Sequence, residues 1–146
     1  MRTAHRSRRR AVTLPELLLV LALAGVAMAV GLRPLRHHLD RLATRAAASE
    51  AALTLAEARR TALAQHAPVG VLVDTARGTL TLLLRGAPIA VHPLGETHGV
   101  SLGATRDSLA YDARGLGFGA ANLSLVIRRG AAVETVVVSR LGRIRS

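Results

Sequence analysis

At 146 residues the chain holds one ordinary domain plus an anchor, not two full domains. It has no cysteine, which excludes a disulfide scaffold, a thiol nucleophile and every thiolate metal centre. The formal charge of +11 rests on arginine alone, much of it crowded into the first ten residues, and Tyr111 and Phe118 are the only aromatics, too few for a base-stacking platform.

The first element is a short basic leader, residues 1–11, carrying Arg2, Arg6, Arg8, Arg9 and Arg10. An apolar segment follows over residues 12–34, with no charge between Leu17 and Leu32. As a helix it reaches roughly 30 Å, about one hydrocarbon core. Because the arginines lie on its N-terminal side, the positive-inside rule keeps the leader in the cytoplasm and sends the remainder across the membrane. A plain secretory signal has the same three parts, and Ala22-Leu23-Ala24 or Ala27-Met28-Ala29 would suit its peptidase. Pro15 and Glu16 near the start of the apolar run are features such a signal does not need.

Residues 35–67 continue as an amphipathic helix. Leu35, Leu39, Leu42, Ala46, Ser49, Leu53, Ala56 and Leu63 recur at spacings of mostly three and four, which predicts one apolar stripe covered by the rest of the domain. Arg36, Asp40, Arg41, Arg45, Glu50, Glu57 and Arg59 fall on other faces, a bend is expected at Pro34, and Ala67-Pro68 ends the helix. A cleaved secretory peptide ordinarily leads into a loop. Here the apolar segment flows straight into a helix.

Residues 68–146 read as strands. Val69–Val73, Thr79–Arg85 and Ile89–His92 are rich in β-formers and are separated by turn clusters; a looser stretch precedes Ser108–Asp112, Asn122–Arg129 and Val133–Ser139. Alternation in "NLSLVIRR" and "VETVVVS" predicts antiparallel strands with one buried face. A long helix and one antiparallel sheet make an α+β fold.

The stretch "AVTLPELLLVLALAG" resembles the prepilin-type signal of type IV pilins and type II secretion pseudopilins. "SEAALTLAEARRTALAQHAPVGVLV", "LAYDARGLGFGAANLSLVI" and "VVVSRLGRIRS" are similar to later parts of the minor pseudopilin H family and of the type IV pilus minor pilin T. The resemblance implies a pilin-like fold and a prepilin peptidase that cuts between Ala11 and Val12 and leaves a methylated Val12 amine. It also implies that Glu16 meets such an amine in its own or a neighbouring subunit. The partners it implies are other pseudopilins or pilins and inner membrane lipid, with the globular domain periplasmic. Ala11 stands where the family prefers glycine, and Val12 where it prefers phenylalanine. A carboxylate entering the membrane costs about 2 to 3 kcal/mol unless paired, so a partner amine gives Glu16 a physical purpose. Pro15 is tolerable there because the first helical N–H groups have no intrahelical acceptor. An unpaired Glu16 in the headgroup layer, favoured by the helix dipole, is the competing reading.

Catalytic chemistry finds little support. Gly115-Leu116-Gly117-Phe118-Gly119 lies between strands and reads as a turn, not a phosphate loop. His37 and His38 are adjacent on a helix and point about 100° apart, an awkward pair for a metal, so no metal or cofactor is expected. No activated nucleophile is visible.

Two roles follow. The first is a minor pseudopilin of a type II secretion system, a structural subunit near the tip of the periplasmic pseudopilus. The second is a minor type IV pilin that takes up DNA through Arg140, Arg143 and Arg145, with Arg128 and Arg129 one hairpin away. Arginines at such a terminus also have a plainer use, keeping an edge strand from pairing with other chains.

Overall fold

A computed structural model describes residues 12–118, 122–139 and 142–145, without the side chains of 30–33 and 118. The chain divides into two compact units, Met1–Arg36 and His37–Ser146. Helix α1, Leu14–Gln65, begins in the first and ends in the second; Pro34 lies inside it and does not terminate it.

In the first unit the helix opens on Thr13, whose carbonyl accepts the N–H of Glu16 at 3.0 Å and of Leu17 at 3.2 Å. Pro15 is the second helical residue, where the missing N–H removes no bond. Leu14, Leu17 to Leu21, Leu23, Val26 and Met28 are all more than half exposed. This is the one helix among the described residues long and apolar enough to cross a membrane.

In the second unit α1 lies against nine short strands and one further helix. In order these are β1 (Val69–Asp74), β2 (Thr79–Leu84), β3 (Ala87–His92), α2 (Leu94–His98), β4 (Ser101–Ala104), β5 (Ser108–Tyr111), β6 (Gly117–Phe118), β7 (Leu123–Arg129), β8 (Ala132–Val138) and β9 (Ile144–Arg145). They form two antiparallel sheets, ordered β3-β2-β1-β5-β6 and β4-β7-β8-β9, where the sequence suggested a single sheet. The second sheet was harder to foresee because β4 and β9 are four and two residues long, too short for an alternating pattern. The α2 turn falls in the stretch expected to be loose.

Alternation places Val69, Val71, Val73, Leu80, Leu82 and Tyr111 of the first sheet in one core with Leu123, Leu125, Ile127, Val136 and Val138 of the second. Turns are tied locally: Asp74 Oδ1 accepts the N–H groups of Ala76 and Arg77 at 3.0 and 2.9 Å. Gly78 then adopts φ +67 and passes so close to Gly95 that a Cβ there would sit 2.8 Å from its Cα, a contact any larger residue forbids.

The helix face is where the sequence reading is overturned. Buried against the sheets are Thr44, Ala47, Ala48, Ala51, Thr54, Leu55, Ala58 and Ala62. The expected leucines face outward: Leu35 is 53% exposed, Leu39 and Leu42 each 50%, Leu53 63% and Leu63 43%. Apart from Leu55 this face is alanine and threonine, and such small side chains let the helix backbone lie close to two sheets already filled with valine and leucine. The two buried threonines are satisfied within the helix. Thr44 Oγ1 donates to the Asp40 or Arg41 carbonyl and Thr54 Oγ1 to Glu50, at 2.9 to 3.1 Å.

Candidate functional surfaces

Three surfaces carry chemistry that the core does not explain. At the start of α1, Glu16 is exposed on the first turn, beside the exposed Val12 and below the apolar run. No cation stands within ion-pair distance of it among the described residues. Of the expected cleavage pair, Ala11 lies outside the described residues and Val12 within them.

The second surface is the outward leucine face of the globular half, which runs from Leu39 through Leu42 to Leu53. Each of these side chains leaves half or more of its area in water, on a helix whose opposite face is fully packed.

The third is a trough between α1 and the end of the second sheet. One part, with a volume of about 590 Å³, is lined by Arg45, Ser49, Ala52, Leu53, Glu134 and Ile144 among others. A second part, about 450 Å³, continues past Arg59, Arg60, Leu63, Arg143 and Arg145, and Ala56 and Ile144 line both. Arg45 is held by Glu134 at 3.4 Å. Arg59 points the other way in function: its Nε donates to the Gly115 carbonyl at 2.9 Å and its Nη1 to that of Gly142 at 3.5 Å, pinning two loops onto the helix. Gly115, at φ +71, makes the turn expected of the glycine run, with Asp112 Oδ1 accepting from the N–H groups of Arg114 and Leu116.

The arginines proposed from sequence as one cluster are not brought together. Arg145 pairs with Val137 at one end of β8, whereas Arg128 and Arg129 pair with Val133 and Ala132 at the other. Four residues of strand separate them, about 13 Å. Arg129 is moreover engaged, with Nε 3.1 Å from Asp40 Oδ1 and Nη1 donating to the His98 carbonyl at 2.6 Å. Arg143 and Arg145 do share the trough, and Arg140 lies outside the described residues. What sequence reasoning missed is that Arg59 and Arg60 of the helix flank the same trough. A basic pair ending an amphipathic stretch is visible, but the strand it faces is not.

A cluster not foreseen joins α1 to the first sheet. Glu50 Oε2 accepts from His98 Nε2 at 2.7 Å, and His92 stands 3.9 Å from both Glu50 and Glu57. It holds α2 and β3 to the helix. His37 and His38, by contrast, take no part in any metal-binding group among the described residues.

A long N-terminal helix whose second half packs on antiparallel sheets defines the pilin-like α+β fold, and this chain has it. Among solved structures it is similar to the Pseudomonas aeruginosa type IV minor pilin FimU in two crystal forms. The first has 20% identity over 70% of this chain and 86% of that one, with a TM-score of 0.60; the second has 21% identity and a TM-score of 0.57. It is also similar to the minor pseudopilin EpsH of the Vibrio cholerae type 2 secretion system, with 17% identity, 70% of this chain and 94% of that one covered, and a TM-score of 0.57. By sequence, the chain matches no family profile and no curated relative.

Proposed function

We propose that the protein is a structural minor subunit of a membrane-anchored pilin-like filament, specifically of a type II secretion pseudopilus near its tip. The observation that carries this reading is the apolar surface left uncovered along α1. The first half exposes its leucines throughout, and the globular half adds Leu39, Leu42 and Leu53. Lipid satisfies the first half before assembly, and neighbouring helices satisfy both after it. Glu16 supplies register: a buried carboxylate is tolerated where it meets an amine, so the penalty of about 2 to 3 kcal/mol is relieved only in a correctly placed subunit. In this reading prepilin peptidase cuts between Ala11 and Val12, the Val12 amine is methylated, and the globular domain is periplasmic.

Membership of a type II pseudopilus draws on the sequence resemblance and on a likeness that spans nearly all of the EpsH chain. A minor subunit of a type IV pilus is the second reading, favoured by the similarity to FimU. Cross-linking in intact cells, followed by mass spectrometry of the captured chains, tests both. Recovery of secretion pseudopilins supports the first, recovery of type IV pilins the second, and recovery of neither removes the filament reading.

A further inference from the structure

The trough between α1 and β9 has the three properties of a receptor for an extended peptide: a free strand edge, an apolar floor and a charged rim. The register shows the edge. Ser139 N donates to the Arg143 carbonyl at 2.8 Å, and Ile144 and Arg145 pair next with Val138 and Val137. In an antiparallel ladder such pairs alternate, so Arg143 and Arg145 turn their backbone groups toward β8, and Ile144 turns its N–H and C=O away from it. Among the described residues β9 is the last strand of its sheet. The floor is built from Ala48, Ala52 and Ala56 of α1 with the half-buried Ile144, and Leu53 and Leu63 lie along it. Arg60, Arg143 and Arg145 line the rim and make no ion pair among the described residues.

We infer that this trough binds an extended acidic segment of a partner protein, which adds to β9 as a fifth strand, seating alternate apolar side chains on the alanine floor and presenting its carboxylates to Arg60, Arg143 and Arg145. Main-chain bonds to Ile144 give such a peptide its hold, and the side-chain alternation gives it direction. The same arginines repel the edges of basic or identical chains, so the edge is protected until an acidic partner arrives. Charge complementarity selects the occupant: the trough carries Glu134 only at its far end, already matched by Arg45.

The test uses the full chain in non-ionic detergent and a fluorescent six-residue peptide alternating valine and glutamate. Anisotropy is expected to show saturable binding at low salt, weakened about tenfold or more when lysine replaces glutamate. The same peptide N-methylated at alternate amides keeps its charge but loses strand pairing, and is expected to bind about tenfold more weakly. Arg143→Ala with Arg145→Ala is expected to weaken binding and flatten its salt dependence, and Ile144→Pro to abolish the preference for the unmethylated peptide. Equal binding of the methylated peptide overturns strand addition. Absence of binding at low salt overturns the site. Displacement of the peptide by duplex DNA at equal charge concentration overturns the assignment to a protein partner and makes the trough a nucleic-acid surface.

Discussion

Arg129 of β7 and Asp40 of α1 meet at 3.1 Å, and the same guanidinium donates at 2.6 Å to the His98 carbonyl. One side chain thus ties the second sheet to the helix and to α2. The pair is partly exposed, 40% and 25%, which discounts its Coulombic share. The charged hydrogen bond to the carbonyl adds to it, for a combined contribution of about 1 to 2 kcal/mol. Arg129→Ala is expected to lower the unfolding free energy from chemical denaturation by that amount, and Arg128→Ala, at the exposed neighbouring residue, to leave it nearly unchanged. Equal effects would show that the contact does not hold in solution.

The two faces of α1 give opposite predictions. Ala51 is fully buried where the helix meets the sheets, so Ala51→Leu forces three further heavy atoms into a filled space and is expected to cost about 1 to 3 kcal/mol. Leu53→Glu, two residues on and 63% exposed, is expected to leave thermal stability within about 0.5 kcal/mol while reducing recovery in filaments. Melting curves measured beside filament co-purification separate the two; a large stability loss in Leu53→Glu would return the leucines to the core.

Glu16 is expected to act after insertion. Glu16→Ala removes the charge from the membrane entrance, so insertion is maintained or improved, while assembly falls for want of the carboxylate. Carbonate extraction measures the first and cross-linking the second. Equal cross-linking of both forms would leave Glu16 an interfacial residue.

Intact-mass measurement of the extracted protein is expected to show a chain beginning at Val12 with one added methyl group. A chain beginning after Ala24 or Ala29 would assign the apolar run to an ordinary secretory signal.

Tyr111 is fully buried, and its hydroxyl has no partner among the described residues. Burial raises its pKa from 10.0 to about 12, and the nearby Arg59 charge opposes that rise. The folded state therefore holds the phenol proton more tightly than the unfolded chain. The stability this represents is fully present below pH 10 and is lost as pH climbs toward 12. Its size is about 2 to 3 kcal/mol. Tyr111→Phe is expected to be nearly neutral at pH 7, since no described hydrogen bond is removed, and to flatten that alkaline loss in pH-dependent denaturation.

The membrane-length helix and the place of Glu16 in its first turn were legible because they depend on consecutive residues: hydrophobic run length and the tolerance of a first helical turn for proline are local properties. Most strands were legible for the same reason, as the alternation of Leu123, Leu125 and Ile127 remains in the structure. The direction of the helix was not. Leu39, Leu42 and Leu53 form the more hydrophobic stripe, yet Ala47, Ala51, Ala58 and Ala62 are the ones buried. Periodicity reveals that two stripes exist, whereas the choice between them belongs to the partner surface, since two sheets already supplying Val71, Leu82, Leu125 and Val136 leave room for a face of mostly small side chains around the single Leu55. The arginine trough is decided in the same way. Arg60 and Arg145 are far apart in the chain and come to one trough only because β9 closes back beside α1, a long-range contact that no local pattern encodes.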